Sequence, residues 1–169
     1  MVHLTKIYTK TGDDGYTSLA DNTRIGKESD ILEAIGSVDE ANSAIGMIDQ
    51  NYDIWLNQIQ NDLFDLGAEL AGSKTVSVTE DKVKYLENLI DSLNDELPTL
   101  QSFILPKGDI HNARAIVRRA ERSVWKLGDL NIYLTQYLNR LSDFLFVLAR
   151  HDSARTSEVL WRPMSADEI

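Results

Sequence analysis

Apolar residues recur every three or four positions in five stretches of this sequence, and that spacing limits the chain to folds built from amphipathic helices. The stretches begin near positions 30, 55, 77, 109 and 132, and the last ends near position 151. Glycine, serine or proline follows several of them, as is typical of helix ends. No convincing series of strands is recognisable. The sequence therefore predicts an all-α fold, an up-and-down five-helix bundle with short connections.

Two of the predicted helices begin with residues at the spacing of a capping box. Asp30 stands three residues before Glu33, and Ser77 stands three residues before Glu80. In a capping box the first side chain accepts from the backbone of the third helical residue, and the later side chain reaches back. We therefore expect these pairs to cap the first and third helices.

Length and charge restrict the classes of protein to which the chain can belong. Its 169 residues fit one domain, with an ordered loop over residues 1–27 and the bundle over about residues 30–151. A net charge of −10 disfavours nucleic acid and anionic membrane as partners. The sequence has no cysteine, no secretory leader pattern and no apolar run near about 18 residues. We expect a cytoplasmic protein.

A polar loop near the N-terminus is the first candidate for a binding site. Residues 9–18 read TKTGDDGYTS. Glycine permits close approach of the backbone, so N–H groups, hydroxyls and a lysine can converge on phosphate oxygens there. A flexible, solvated tail is the alternative. Apolar side chains flank the loop and favour its packing against the rest of the protein; they are Ile7, Tyr8, Tyr16 and Leu19.

The predicted fourth helix carries a dense group of arginines in an otherwise acidic chain. Arg114, Arg118 and Arg122 recur at every fourth position and form one edge, with Arg119 beside them. Their mutual repulsion is unfavourable without a partner. The edge is either a solvated basic face, a site for an anion, or a surface paired with carboxylates. With the N-terminal loop it would suit a polyphosphate such as that of ATP, because guanidinium groups donate charge-assisted hydrogen bonds to phosphate.

Carboxylates for that edge are available on the predicted first helix. Asp39 and Glu40 lie there side by side, and Asp39 could form an ion pair with one of the arginines. A buried pair would matter, because removing one member leaves the other charged and unpaired. An exposed pair would contribute little. The sequence leaves the burial open.

Three further patterns are interpreted as structural or left open. Residues 67–75 approximate a phosphate-binding P-loop, but they end a helix and do not link a strand to a helix, so we reject that function. Asp62, Asp65 and Glu69 share one helix edge, which is expected to be a solvated face. Phe103 stands beside a Pro-Lys-Gly turn and either fills the core or contacts a flat hydrophobic ligand.

Five blocks of the sequence carry a resemblance to a known family. They are KIYTKTGDDG at 6–15, GSVDEANS at 36–43, FILP at 103–106, RAIVRRAER at 114–122 and NRLSD at 139–143. In the same order, they resemble the PduO-type ATP:cob(I)alamin adenosyltransferases. The blocks span most of the chain, and their agreement in register makes the resemblance specific.

The resemblance implies a fold, a reaction and an assembly. The fold is a ferritin-like five-helix bundle that forms a homotrimer, with each active site between neighbouring subunits. The cobalt of cob(I)alamin attacks the 5′ carbon of the ATP ribose, which gives adenosylcobalamin and releases triphosphate. Positioned cations then matter more than a protein acid or base. Mg²⁺ is held mainly by the phosphates and not by a protein metal site, and a flavoprotein or another electron donor supplies reduced cobalamin.

The resemblance also implies roles for individual residues. Arg118, Phe103 and Asp39 are the expected catalytic residues, and Phe103 contacts the corrin and helps to keep its lower base off the cobalt. Asp39 and Arg114 match a salt bridge between adjacent subunits. The expected ATP-binding residues are Thr9, Lys10, Thr11, Gly12, Thr17, Ser18, Lys27, Arg118, Arg119, Glu121, Arg122 and Asn139.

Two positions depart from the family pattern, and two other functions compete. Lys107 stands where a glycine is common, and Ala41 stands where a leucine is usual. The first could alter the loop beside the corrin, and the second changes a packing volume.

The alternatives are a non-catalytic sensor or chaperone that binds ATP and cobalamin, and a helical module whose basic edge docks an acidic protein.

Overall fold

All five predicted helices are present in the computed structural model, which describes residues 7–153 and 158–163. The all-α prediction is confirmed, with one small addition, a hairpin of two short strands before the bundle. In chain order, the elements are β1 Tyr16–Ser18, β2 Arg24–Gly26, α1 Asp30–Ile45, a 3-10 turn Gln50–Tyr52, α2 Asp53–Leu70, α3 Glu80–Asn94, α4 Gly108–Trp125 and α5 Ile132–Ser153.

The helices run alternately up and down, which fixes the place of every connecting loop. Ser37 in the first half of α1 lies 3.3 Å from Ser123 near the end of α4, so these two helices are antiparallel. Arg140 of α5 donates to Glu87 of α3 at 2.8 Å, and further along Arg150 reaches the Pro98 carbonyl after α3. The bundle therefore has two distinct ends. We call the one that carries β1 and β2 the hairpin end, and the other the Phe103 end.

The core lies along α5, whose side chains meet the other helices. Its fully buried large residues include Leu134, Tyr137, Leu138, Leu141, Phe144, Leu145 and Leu148. They recur at helical spacing, so one stripe of α5 faces inward over its whole length. Truncating one such leucine to alanine costs about 2–5 kcal/mol. Ala41 of α1, which stands where the family usually has a leucine, is fully buried in the same core. None of the described helices is long and apolar enough to cross a bilayer.

The two predicted capping boxes are wrong. The residue before α1 is Ser29, with extended backbone angles, and the residue before α3 is Thr79. Neither side chain bonds to its helix. Asp30 already lies inside the first turn, and Ser77 lies outside the cap position, so both pairs are out of register with the motif. The acids of these first turns still interact favourably with the positive end of the helix dipole.

The predicted solvated face on α2 is also wrong. Asp62 is only 1% exposed, and its carboxylate accepts bonds from Lys82 at 2.6 Å and Tyr137 at 3.1 Å. Lys82 also donates to Asp65 at 2.6 Å, and Glu69 accepts from the Val78 backbone and from Asn131. The acidic edge faces α3 and α5 because both helices supply donors to it.

The hairpin is an element that sequence spacing did not indicate. Its strands are antiparallel, with Tyr16 opposite Gly26 and Ser18 opposite Arg24. Each strand has three residues, which is too short for an alternating pattern to be recognised. The Ala20 N–H donates to the Ala71 carbonyl just after α2, at 2.9 Å. This bond fixes the hairpin at the end of the bundle where α2 ends.

Candidate active site

The N-terminal loop is held in shape by two cations of the hairpin. Arg24 donates from one nitrogen to the Thr11 carbonyl at 2.7 Å and to the Asp14 carboxylate at 2.9 Å. The hydrogen bond from Arg24 lowers the pKa of Asp14, and the Tyr16 N–H acts in the same direction. Lys27 donates to the Gly12 carbonyl at 2.7 Å. The loop is thus bonded to β2 and to the residue that follows β2.

The same loop brings together seven of the expected ATP-binding residues: Thr9, Lys10, Thr11, Gly12, Thr17, Ser18 and Lys27. A Cβ atom at Gly12 would lie 3.1 Å from the Lys27 nitrogen and 3.2 Å from the Tyr16 carbonyl oxygen. These contacts are tight, so the position favours glycine. Lys10 has a positive φ of 62°, and its side chain is exposed. Hydroxyls, a lysine and turned backbone groups therefore lie within one short stretch of the chain, and groups of this kind suit phosphate oxygens.

The arginine edge divides into paired and open members. Arg119 forms an ion pair with Glu40 of α1. Arg122 donates to the Arg118 carbonyl at 2.8 Å, and Arg118 itself is exposed. Within residues 7–153 and 158–163, no carboxylate lies at ion-pair distance from Arg118 or Arg122. These two guanidinium groups remain available to an anion.

Asp39 and Arg114 do not meet within one chain, and no arginine among residues 7–153 and 158–163 lies at ion-pair distance from Asp39. Asp39 lines an open groove of about 490 Å³ between α1 and α2. Arg114 lies over the Phe146 ring, 5.3 Å from its centroid, on the side of α5. Burial, and after it the nearby Arg118, lowers the pKa of Arg114. Glu40, one residue further on, is the acid that faces α4.

Two expected ATP-binding residues lie between α4 and α5. Asn139 donates to the Glu121 carboxylate at 3.3 Å and accepts from Arg140 at 2.8 Å. Arg140 in turn donates to Glu87 of α3 at 2.8 Å. Glu121 and Asn139 are therefore positioned by a chain of side-chain bonds that crosses three helices.

Phe103 does not fill the core, so that interpretation of the sequence is wrong. Its side chain is 76% exposed. The ring packs edge-on against Trp161, with 6.2 Å between centroids. Beside this loop lies a cavity of about 730 Å³ lined by Leu105, Pro106, Lys107 and residues of α4 and α5. An exposed aromatic ring next to a cavity suits contact with a flat apolar ligand.

Within one chain, the hairpin and Phe103 lie at opposite ends of the helical bundle. The hairpin leads directly into α1, and Phe103 lies in the loop that precedes α4. A helix of the 16 residues of α1 is about 24 Å long. Along α4, Arg114 lies nearer the Phe103 end, and Arg122 lies in the last turn, at the hairpin end. A single chain therefore separates Phe103 from the hairpin.

Sequence reasoning missed several residues that support these parts. Arg24 was not singled out, although it fixes the N-terminal loop from the second strand. Arg150 carried no signal beyond its place in the predicted fifth helix, yet it is buried and bonds to two loops. His111 is 7% exposed, and its Nδ1 has no hydrogen-bond partner among the described residues. Burial, and after it the charge of Arg114, lowers the pKa of His111, and Glu158 acts in the opposite direction. Long-range contacts of this kind leave no local pattern in a sequence.

The chain belongs to the cobalamin adenosyltransferase family. The family's sequence model matches residues 7–152, which includes the hairpin and all five helices up to the last turn of α5. This membership agrees with the resemblance that the five sequence blocks indicated.

Several known proteins resemble most of the chain. The corrinoid adenosyltransferase of Mycobacterium leprae is 43% identical, and the match covers 96% of this chain and 98% of that protein. The cobalamin adenosyltransferase of Cupriavidus metallidurans is 44% identical over 94% of this chain and 95% of its own. The human corrinoid adenosyltransferase MMAB is 39% identical, with coverages of 86% and 68%.

Solved structures give the same result. One is the PduO-type ATP:corrinoid adenosyltransferase from Lactobacillus reuteri, in a variant with alanine in place of a phenylalanine, complexed with cobalamin and ATP. It superposes on this chain with a TM-score of 0.85. It is 34% identical, and the match covers 94% of this chain and all of that one. An arginine-to-lysine variant of the same enzyme, complexed with ATP, gives a TM-score of 0.82 at 33% identity, with coverages of 92% and 100%.

Proposed function

We propose that this protein transfers the 5′-deoxyadenosyl group of ATP to cob(I)alamin, forming adenosylcobalamin and releasing triphosphate. The relatives are named corrinoid or cobalamin adenosyltransferases, and one structural neighbour binds both cobalamin and ATP. The observation in this chain that supports the proposal most directly is the open pair Arg118 and Arg122, exposed and without a carboxylate partner in the described part of the chain.

The N-terminal loop and the arginine edge bind the triphosphate of ATP. Hydroxyls of the loop, with Lys10 and Lys27, donate to phosphate oxygens, and Arg118 and Arg122 complete the cationic side. Arg119 is held by Glu40 and contributes as a paired cation. Glu121 and Asn139, bonded to each other, position the helical side of the site.

The reaction needs charge stabilisation more than proton transfer. The cobalt electron pair forms a bond to the 5′ carbon of the ribose while the bond from that carbon to the phosphate oxygen breaks. The electron pair of the broken bond stays on the triphosphate, so negative charge grows there and no proton has to move. Cations fixed in advance lower the energy of such a transition state, and one preorganised donor is worth a factor of about 10²–10³ in rate.

Mg²⁺ fits the donors at the N-terminal loop. The hydroxyls of Thr9 and Thr11 lie 2.9 Å apart, and the exposed Asp13 carboxylate follows them. These are hard oxygen ligands of the type that Mg²⁺ prefers, so they would add to the phosphate oxygens and water that hold most of the ion's coordination. When bound there, the ion would neutralise phosphate charge.

We propose a homotrimer in which each site is shared by two subunits. Asp39 and Arg114 each lack an ion-pair partner among the described residues, and they lie on different faces of the bundle. A pair between Asp39 of one subunit and Arg114 of the next joins these faces. Asp39 lies nine residues, or about 14 Å, from the start of α1. The hairpin of the subunit that supplies Asp39 then comes close to the arginine edge of the subunit that supplies Arg114. The first subunit contributes the nucleotide loop, and the second contributes Phe103 and the arginines.

The groove around Asp39 supports this contact between subunits. It is lined largely by apolar residues, and Phe64 at its edge is 68% exposed. Burying such a ring between subunits is favourable. A charged pair at the edge of an apolar contact fixes its register.

Phe103 contacts the corrin and excludes its lower base from the cobalt. Its exposed ring and the adjacent cavity are the features that support this role. A flavoprotein or another electron donor delivers reduced cobalamin, and a cytoplasmic location suits a substrate that must reach the cobalt(I) state. Residues 1–169 form one domain in this proposal.

An assay with ATP, Mg²⁺ and chemically reduced cobalamin tests the proposed reaction. We expect the corrin absorption spectrum to change to that of adenosylcobalamin, with release of one triphosphate per corrin. Tight binding of ATP and cobalamin with neither product would instead support the sensor or chaperone.

Mixed subunits test whether the site is shared. Lys10→Ala impairs the loop, and Arg118→Ala impairs the edge. Co-expression of the two variants should give trimers with some sites built from two intact halves, and hence more activity than either variant alone. If both halves came from one chain, the mixture would be no more active than its parents.

A further inference from the structure

The last described part of the chain pairs with the loop that carries Phe103. We call residues 158–161 the C-terminal segment. The Trp161 N–H donates to the Phe103 carbonyl at 2.7 Å, and the Leu105 N–H donates to the Val159 carbonyl at 2.9 Å. Hydrogen bonds thus tie the backbone of the segment to Phe103 itself and to the second residue after it.

Side chains add to this contact. The rings of Phe103 and Trp161 pack edge to face, with 6.2 Å between centroids and 68° between planes. Ser102 donates from its hydroxyl to the Trp161 carbonyl at 3.0 Å. Trp161 is therefore in contact with Phe103 through its ring and, through its backbone, with both Ser102 and Phe103.

The segment is anchored to the bundle by a buried arginine. Arg150, near the end of α5, donates to Glu158 at 2.9 Å and to the Pro98 carbonyl at 2.9 Å. Its side chain is only 5% exposed, so this cation depends on both partners. One residue thus fixes the start of the C-terminal segment and the start of the loop that leads to Phe103.

We propose that the C-terminal segment positions Phe103 for the corrin, with Trp161 as the positioning residue. This inference rests on the proposed function. Phe103 is largely exposed, so without Trp161 its ring would be free to adopt other rotamers. The bond from the Trp161 N–H to the Phe103 carbonyl holds the backbone there, and the edge-to-face contact restricts the Phe103 ring. Trp161 then acts on the corrin through Phe103, and not on ATP, whose proposed loop lies at the hairpin end.

Replacing Trp161 tests this role. From the usual strength of an aromatic pair, Trp161→Ala should lower kcat/KM for cobalamin about three- to tenfold. It should also lower the fraction of bound cob(II)alamin whose lower base is displaced, read from the absorption spectrum with ATP present. The ATP Kd from calorimetry should stay unchanged, and Trp161→Phe should recover most of the loss.

A double-mutant cycle separates positioning from a general structural role. If Trp161 acts through Phe103, adding Trp161→Ala to Phe103→Ala should cause no further loss. Ile54→Ala is a control, because Ile54 is 81% exposed at the same end of the bundle and lines a different cavity. This control should match the wild type in all measurements.

Several results would overturn the inference. They are wild-type behaviour of Trp161→Ala, multiplication of the two losses in the double variant, or an equal loss of ATP affinity. If Trp161→Ala does not fold, Trp161→Leu decides, because it keeps apolar bulk but loses the aromatic ring; wild-type cobalamin handling by this variant would overturn the inference. If the wild type makes no adenosylcobalamin, the proposed function fails, and the spectrum of bound cob(II)alamin still decides the role of Trp161.

Discussion

Two charged clusters in this bundle have opposite relations to their surroundings. Around Asp62, an acid that is 1% exposed, every group has a partner, because Lys82 and Tyr137 come from α3 and α5. Along α4, Arg118 and Arg122 have no carboxylate partner in the described residues, and both are exposed. The first cluster has nothing left to bind, and the second has charge available for a ligand.

The comparison teaches that charge spacing on one helix does not indicate which clusters are open. The acids of α2 and the arginines of α4 both follow a helix edge in sequence. Donors on α3, α5 and the loops before them satisfy the acids, whereas within residues 7–153 and 158–163 Glu40 is the one carboxylate at ion-pair distance from the arginine edge. Satisfied clusters stabilise the fold, and unsatisfied ones mark a site.

Removing Arg118 should have the largest effect on catalysis. We expect Arg118→Ala to reduce kcat/KM by about 10²–10³, because one preorganised donor to the leaving triphosphate is lost. The assay is formation of adenosylcobalamin at saturating Mg²⁺. Circular dichroism and sedimentation should show an intact fold and assembly, since the side chain is exposed.

Two variants sharpen this result. Arg118→Lys keeps the charge but not the planar fork, so its activity should lie between those of wild type and alanine variant. Lys84→Ala removes an exposed cation that is paired with Glu80 at 2.9 Å, and it should retain full activity. Full activity of Arg118→Ala would show that the open pair is not the phosphate site.

Breaking the closed cluster should change stability and not catalysis. Lys82→Met leaves Asp62 buried without its cation, and we expect a loss of about 2–3 kcal/mol, less than for a fully buried pair because Lys82 is partly exposed. Burial alone lowers the pKa of Lys82, but the hydrogen bonds that Lys82 donates to Asp62 and Asp65 outweigh burial and raise the pKa, so Lys82 is charged at neutral pH. Urea unfolding measures the loss, with Lys84→Met as the exposed control. A large fall in kcat of the folded enzyme would contradict the distinction between the clusters.

Gly12→Ala probes the loop that faces the open cluster in the proposed assembly. The added Cβ would press on the Lys27 nitrogen at 3.1 Å and disturb its bond to the Gly12 carbonyl. From the loss of one exposed charge-assisted bond, we expect the KM for ATP to rise about three- to tenfold. The Kd for cobalamin, measured in the same preparation, is the internal control. An unchanged KM for ATP would mean that the loop geometry does not matter for nucleotide binding.

The sequence was sufficient for the helices, because Leu138, Leu141 and Leu145 of α5 and their equivalents follow a local period, and for their alternating direction, because the connections are short. It was not sufficient for the contacts between helices. The partner of Arg119 is Glu40, 79 positions away, and only the packing of α1 on α4 selects it over Asp39. The anchors of the Phe103 loop depend likewise on where the chain returns after α5. The expected site residues are still a prediction that the variants above test.

His111 provides the smallest test, since it is a buried polar group that the fold leaves partly unpaired. Burial, then Arg114, lowers its pKa from the usual value of about 6.5, and Glu158 only partly opposes this. The unfolded chain therefore binds the proton more tightly than the folded one, and stability must fall as the pH drops below about 6.5 and level off below the folded pKa. One proton limits the slope to about 1.4 kcal/mol per pH unit. His111→Gln should flatten the fall between about pH 7 and 5 in urea unfolding, compared with the wild type. An equally steep fall in His111→Gln and the wild type would mean that carboxylates elsewhere, and not His111, determine the acid sensitivity.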